Sequence, residues 1–341
     1  LWANVVLPLG WLPLGAMSLA GGNYLAALLC TVGLASIGSV CMWRSYRTTV
    51  RLYTGEFTGG GGRPVEVKKP VPTEVQPSRF LERRLPWVTE ETSAIAFASF
   101  RGLTRAPEAK MMLLPAIFML VMFGVLLFSR SASIPPAFRS LLPYGAIGLS
   151  MLSTVQLLGN QFGFDRDGFR VFVLSAAPRR HILLGKNLAF APFAIMICLT
   201  ATMIAAVLFP MRIDYLLAVI PQFVSIFLVY CLGANLLSIF APLPIAAGSL
   251  RPKNPKFIPI LLHLLFMMCL AMLLTFALWP LAVSLLFDRI SWAIGALAYL
   301  SLAVLQCVAV VFLYRAILAW QGTLLQRREK KILDVVTTKA E

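Results

Sequence analysis

The stretch MMLLPAIFMLVMFGVLLFS (Met111–Ser129) decides the fold class, because none of its side chains is charged. A helix of about 20 apolar residues crosses the roughly 30 Å hydrocarbon core of a bilayer. Hydrophobic residues make up 59% of the whole chain, well above the share in soluble domains. The sequence therefore predicts an all-α fold, a polytopic transmembrane helical bundle.

This run and the other apolar segments that lie between charged residues predict eight membrane spans. They lie near residues 1–20, 24–43, 111–129, 141–160, 182–210, 214–240, 258–279 and 292–318. Of the 30 lysines and arginines, 25 lie in or beside the linkers at 44–110, 161–181, 241–257 and 319–341, and 4 lie in the others. Positive charge favours the cytoplasmic side, so we expect a multi-pass protein of the cytoplasmic (inner) membrane with a cytoplasmic C-terminus.

The net charge of +16 follows from this topology and indicates contact with anionic membrane lipids. We expect no nucleic-acid partner, since the charge is spread over four linkers and no binding motif occurs. The six cysteines fall in predicted spans without a CxxC pair, which is typical of buried free thiols. We expect no metal site, since the chain has only two histidines.

The long basic linker has two parts. Residues 44–89 include GEFTGGGGRPVEVKKPVPTEVQP, which predicts a flexible cytoplasmic linker. An amphipathic pattern over 90–106 follows, with Phe97 and Phe100 on an apolar side and Arg101 and Arg105 as cations. This pattern favours a helix lying in the membrane interface, and the alternative is an ordinary solvated linker helix.

A compact polar loop, residues 161–181, separates two apolar runs. Asp165 or Asp167 can cap a helix, and Phe169 and Phe172 share one face of it. Lys186 is expected to extend its ammonium to the interface from the first turn of the next span. Exposed phenylalanines have to be covered by lipid headgroups, by the protein itself or by a partner.

This region resembles the cytoplasmic loop of ABC transporter permeases of the type-2 exporter class. The resemblance rests on N-x-F-G-x-D-R-x-G-F from Asn160, on P-R-R-x-I-L-L-G-K-N from Pro178, on SAIAFASFRGLTRAPEAKMMLLP and on GSLRPKNPKF. It covers about 90–320 and implies a six-span permease domain with an interfacial connecting helix at 90–106. It also implies a short re-entrant helix at about 280–287. The lysines and arginines near the C-terminus predict a basic cytoplasmic tail at 321–341.

The resemblance further implies that the polar loop docks on a separate ABC ATPase subunit. The docking residues would be Asp165, Arg166, Asp167, Phe169, Arg170, Phe172, Arg179 and Arg180. The chain itself would need no cofactor, whereas the partner ATPase would bind ATP and Mg²⁺. The substrate class stays open.

The segment 1–43 is similar in pattern to the region that begins at Pro280. Both pass from a proline-broken apolar piece, through a short polar break, into a span that ends in aromatic-Arg, at Trp43–Arg44 and at Tyr314–Arg315. The two apolar segments of 1–43 can therefore be the end of a first permease half of an N-terminally truncated chain. The second half of the transporter would then be on the same chain, and the alternative is a homodimer.

The sequence lacks the residues that several kinds of activity require. No G-x-x-x-x-G-K-[ST] motif occurs, so ATP hydrolysis is expected in a partner and no catalytic residue is assigned here. No charge lies at the centre of a predicted span, which disfavours an ion-coupled carrier. Gln156, Gln222, Asn235, His263 and Gln306 are expected to form interhelical hydrogen bonds. The alternative function is that of a non-ABC membrane protein, either a membrane-embedded enzyme or a scaffold.

Overall fold

The computed structural model of the 341-residue chain describes residues 10–53, 84–129, 135–245 and 257–337. The regular elements of these residues are helices. The chain divides into two compact units, Leu1–Gln76 and Pro77–Glu341, which are described separately. Within these described ranges, six helical segments are long and apolar enough to cross a membrane, and the chain is consistent with a membrane-embedded protein.

The first unit is a pair of packed helices, α1 (Trp11–Ala20) and α2 (Tyr24–Tyr53). The turn between them needs a left-handed residue, and Gly22 supplies it with a φ of 75°. A Cβ at Gly33 would lie 2.5 Å from the Trp11 ring, so the glycine lets α1 pack closely on α2. Of the span predicted at 1–20, residues 1–9 lie outside the described residues.

The second unit begins with α3 (Glu90–Arg105), α4 (Pro107–Ser129), the single turn α5 (Pro136–Arg139) and α6 (Leu142–Gly159). The polar loop folds into α7 (Gln161–Asp165), a 3₁₀ turn (Arg166–Gly168) and α8 (Phe169–Leu174). The remaining helices are α9 (Arg179–Leu208), α10 (Ile213–Phe240), α11 (Phe257–Ala277), α12 (Trp279–Phe287) and α13 (Trp292–Thr337).

The core of the second unit lies where α6, α9, α10 and α13 pack together. Most of α6 and α10 is buried, whereas α4 and α11 expose most of their apolar side chains. Apolar side chains on the outside of a bundle face hydrocarbon in a membrane protein. α4 and α11 are therefore peripheral helices of this arrangement, and their exposed apolar surface is consistent with contact with lipid.

The predicted spans in the second unit coincide with helices α4, α6, α9, α10, α11 and α13. The helix expected at 90–106 is α3, and the short helix expected at 280–287 is α12; its re-entrant position stays a prediction. α6 is a helix, but it is not among the six that meet the length and hydropathy needed to cross a membrane. α13 continues to Thr337, so most of the tail expected at 321–341 is helical.

Candidate functional site

The candidate site is the polar loop together with the helix ends that hold it. We call this part of the second unit the loop end; it includes α3, the first turns of α9 and residues 315–337 of α13. Because α6 ends and α9 begins there, the α9–α10 linker and the α12–α13 turn lie at the opposite end. The described residues contain no cluster of three or more histidines, cysteines or carboxylates that could hold a metal ion.

The first fixed point of the loop is a buried ion pair between α7 and α9. The Lys186 ammonium donates a 2.7 Å hydrogen bond to the Asp165 carboxylate and lies 5.0 Å from the centre of the Phe172 ring. Only 3% of Lys186 is exposed. Burial raises the pKa of Asp165, and the Lys186 ammonium opposes that shift.

Two sequence predictions are corrected by this pair. Asp165 or Asp167 was expected to cap the loop helix, but α8 begins after Gly168 without a side-chain cap, and the loop consists of three short pieces rather than one helix. Lys186 was expected to reach the interface, but it bends inward to Asp165. The physical reason is that leaving a buried carboxylate without a cation costs more free energy than leaving a helix terminus without a cap.

A second ion pair connects the loop to α4. The Arg166 guanidinium donates to the Glu108 carboxylate at 2.9 Å and to the Ile245 carbonyl oxygen at 3.1 Å. Arg166 has a φ of 52°, a conformation that costs a non-glycine residue about 1–3 kcal/mol. The contacts on both sides of the guanidinium hold the chain in this conformation, and they fix the turn between α7 and α8.

A third fixed point is Arg179, at the first position of α9. Its guanidinium donates to the backbone oxygens of Phe172 at 2.9 Å and Val173 at 3.0 Å, and so satisfies carbonyls at the end of α8. It also donates to the Glu329 carboxylate of α13 at 2.8 Å. The planar guanidinium can make these bonds together, so one side chain joins α8, α9 and α13.

A buried amide network lies under the loop. Gln161 of α7 donates to Asn187 of α9 and to Asn235 of α10, at 3.1 Å in each case. Asn187 donates to the Tyr314 hydroxyl at 2.9 Å, and Asn235 donates to Gln321 at 3.1 Å. All five residues are nearly inaccessible to solvent, so the network sets the register between the loop and three long helices.

The interhelical role expected for Asn235 is confirmed by this network. Gln222 likewise donates to Gln306 across α10 and α13 at 3.2 Å, as expected. His263 instead hydrogen-bonds the Pro259 carbonyl oxygen of its own helix, at 2.8 Å. The sequence reasoning missed Gln161, Asn187 and Gln321. Tyr314 and Gln321 stand seven residues apart, and this helical spacing was the available signal.

The expected exposure of the loop phenylalanines is wrong for Phe169. Only 1% of Phe169 is exposed, and its ring lies edge-to-face with Phe162 at 5.0 Å. Phe172 is half-buried and packs against the same core. The physical reason is that α8 lies flat on the bundle, so its aromatic face meets the protein itself rather than a partner.

Other residues of the loop remain accessible. Asp167, Arg170 and Arg180 are exposed, as a docking role requires. Val171 is 67% exposed and Leu174 is 86% exposed, although the sequence reasoning had not selected them. Their spacing of three residues on a helix places them on one face, which was the signal available. The exposed surface of α8 is therefore a small apolar patch beside Arg170.

The amphipathic helix α3 packs on α9. Phe100 lies 5.4 Å from Phe193 of α9, measured between ring centres, and both Phe97 and Arg101 are half-buried. Arg105 is exposed. A cavity of about 400 Å³ separates α3 from the polar loop, and Asp165, Arg166, Lys186 and other residues line it. The apolar side of α3 therefore rests partly on the protein, and its position in the membrane interface stays a prediction.

The opposite end of the second unit is fixed by one arginine. Arg212 binds the Asp214 carboxylate through two bonds of 3.0 and 2.9 Å, and it binds Asp288 at 2.8 Å. Its guanidinium also lies 4.8 Å from the centre of the Tyr215 ring. The cluster ties the start of α10 to the turn between α12 and α13.

Comparison of the chain with known protein families, with curated proteins and with solved structures gives no match. The function is therefore argued from the geometry of the loop end and from the resemblance of its motifs.

Proposed function

We propose that the chain is the membrane-spanning permease subunit of an ATP-driven exporter of the ABC type-2 class. In this proposal it resides in the cytoplasmic membrane with its loop end inside, where the basic linkers lie. A separate ATPase subunit binds ATP and Mg²⁺ and docks on the polar loop. The chain itself hydrolyses nothing, and it provides the path across the membrane.

The observation that carries the proposal is the way in which the loop is fixed. Glu108 ties it to α4, Lys186 to α9, Gln161 to α10 and Arg179 to α13. A force applied to such a loop reaches four long helices through these contacts. This is what a permease needs in order to convert closure of an ATPase into movement of its spans.

The docking surface in this proposal differs from that expected from the sequence. Val171 and Leu174 provide the apolar contact that the partner buries, and Arg170 and Asp167 provide charge beside it. Phe169 and Phe172 act from inside, because they hold α8 on the bundle. Apolar side chains at the centre of a small patch with charges around them are typical of a protein interface.

A parallel between the two units supports a transporter with two halves. In each unit a short apolar helix packs on the long helix that follows it: α1, of 10 residues, on α2, and α12, of 9 residues, on α13. The first unit therefore has the form expected for the end of a preceding permease half. Two complete halves then enclose the transport path, either on one longer chain or in a homodimer.

The test is recovery of the ATPase with the protein. The tagged protein is extracted in mild detergent from its own cells, and the proteins that accompany it are identified by mass spectrometry. We expect an ATPase with a phosphate loop, in a stoichiometric amount. The double variant V171E/L174E places two carboxylates in the contact, and we expect it to lower the recovered ATPase about tenfold.

The matched control is T323E/Q326E, which adds two carboxylates at exposed positions of α13 in the same part of the unit. We expect it to retain the ATPase. Recovery that is unchanged in V171E/L174E overturns the docking surface. A protein that brings down no ATPase overturns the permease proposal and favours the membrane-embedded enzyme or scaffold.

A further inference from the structure

A basic pocket lies at the loop end, on another side of α9 from the polar loop cavity. Its volume is about 560 Å³, and it opens between the segment before α3, the first turns of α9, and α13. The residues lining it include Trp87, Arg180, His181, Leu184, Arg315 and Leu318. Arg180, which the sequence reasoning assigned to partner docking, thus faces this pocket.

The charge of the pocket is positive. Arg180 and Arg315 both line it, and its lining includes no carboxylate. Among the described residues, neither arginine forms an ion pair. The Glu91 carboxylate lies 3.5 Å from the ring nitrogen of His181, another lining residue. Two arginines that share a pocket and form no ion pair attract an anion.

The pocket is also amphipathic. Leu184, Leu318 and Ala319 form an apolar wall, and Trp87 stands beside it with 90% of its surface exposed. Arg315 is the first charged residue after the long apolar part of α13, so its guanidinium lies where a spanning helix leaves the hydrocarbon. Tryptophan and arginine together at that depth are typical of the headgroup region of a bilayer.

We propose that this pocket binds the headgroup of an anionic phospholipid. The phosphate accepts hydrogen bonds from Arg180 and Arg315, and the acyl chains follow the apolar wall along α9 and α13. Guanidinium groups suit this role, because their planar donors match the oxygens of a phosphate. Basic pockets between helices at a membrane surface are known sites for such headgroups.

The site also gives the lipid an effect on the polar loop. A Cβ at Gly322 would lie 2.8 Å from the backbone nitrogen of Arg180, so the pocket adjoins the close crossing of α9 and α13. Arg179, the next residue, holds the end of α8 and contacts Glu329. A bound headgroup therefore stabilises the crossing on which the loop depends.

The test measures thermal unfolding of the purified full-length protein in detergent. We add phosphatidylglycerol, phosphatidylcholine or the water-soluble glycerol phosphate, each at increasing concentration. We expect phosphatidylglycerol to raise the Tm in a saturable manner, and the other two to have little effect. The double variant R180Q/R315Q should weaken the response about tenfold or more.

Two further variants keep the result interpretable. R289Q/R327Q removes the same charge from two other exposed arginines and should respond as the wild type does. R180K/R315K keeps both charges but loses the planar donors, so it should show an intermediate response; it also serves if the glutamine variant fails to fold.

Three results would overturn the proposal. The first is an equal response to phosphatidylglycerol in R180Q/R315Q and the wild type. The second is an equal rise in Tm with phosphatidylcholine. The third is a full response to glycerol phosphate alone, which would assign a soluble phosphate rather than a lipid to the pocket. None of these results depends on the ATPase, so the lipid site is tested independently of the permease proposal.

Discussion

The two ends of the second unit are held by different kinds of polar contact. At the loop end, Lys186 and Asp165 form an ion pair in which the lysine side chain is 4% exposed and the aspartate side chain 20%. At the opposite end, the Arg212 side chain is 32% exposed, and the two carboxylates that it holds are 6% and 19% exposed. The two ends therefore differ in the exposure of the cation and not in that of the acids. Charges that water reaches are screened and interact weakly, whereas buried charges interact strongly and are costly to separate.

The difference extends to the uncharged groups. Under the loop, Gln161, Asn187, Asn235 and Gln321 bond to one another away from solvent. At the opposite end the hydroxyls of Tyr144 and Tyr299 meet at a longer distance, 3.4 Å. The amide contacts under the loop are therefore shorter than the hydroxyl contact at the opposite end. In the proposed permease, the closer polar contacts at the loop end would help to carry force from the ATPase to the long helices.

The largest expected effect comes from the substitution K186M. Methionine keeps the apolar length of the side chain but removes the ammonium, so the Asp165 carboxyl remains buried without its cation. We expect a loss of about 3–5 kcal/mol in the free energy of unfolding. The measurement is denaturant-induced unfolding in mixed micelles.

The double variant D165N/K186M is the control for K186M. It removes both charges, so we expect it to recover most of the loss and to lie within roughly 1 kcal/mol of the wild type. A single K186M variant as stable as the wild type would show that water reaches the pair, and the contrast between the two ends would then disappear.

The helices were largely predictable from the sequence, because most of them begin and end near a point where an apolar run meets a charge, a proline or a glycine. The run that opens at Met111 became α4, and the pattern over 90–106 became α3. The continuation of α13 beyond residue 318 was not predicted, since the charged residues there indicated a tail. The helix nevertheless carries a row of buried side chains. Tyr314, Leu318, Gln321 and Leu325 lie on one face of that helix and are buried.

The contacts of the site were much less predictable. Asp165 and Lys186 are 21 residues apart, and Asn235 and Gln321 are 86 apart, so their pairing depends on how whole helices pack. The local sequence pattern predicted that Asp165 caps a helix and that Phe169 is exposed. Tertiary packing overrides both predictions. The sequence can place a polar group at the end of a helix, but only the packed bundle decides which other group it meets.

A smaller effect is expected from the substitution G163A in α7. A Cβ at this glycine would clash with the Leu243 carbonyl oxygen and with the Asn160 side chain. Asn160 and Leu243 are themselves joined by two hydrogen bonds of 2.8 Å, so neither can retreat freely. We expect a loss of about 1–3 kcal/mol in the free energy of unfolding.

The matched control for G163A is G145A, in α6 near the opposite end. A Cβ there meets the Phe123 ring at 3.7 Å, which is ordinary van der Waals contact. We expect G145A to be neutral or slightly stabilising, by less than about 1 kcal/mol. Equal effects of the two alanines would show that the surroundings of Gly163 are no tighter than those of Gly145.

The smallest expected effect is that of R212Q at the opposite end. Glutamine can still donate to Asp214, whose side chain is 6% exposed, and we expect water to enter the exposed side of the site, where the guanidinium was. We expect a loss of about 1 kcal/mol in the free energy of unfolding, and we expect this loss to shrink as salt is raised. The loss in K186M should stay nearly constant over the same range of salt, because burial protects that pair from screening. Unfolding of both variants at low and high ionic strength measures this difference directly. A salt-independent loss in R212Q as large as that in K186M would mean that both ends are held by desolvated charge, and force on the loop would then meet equal resistance throughout the unit.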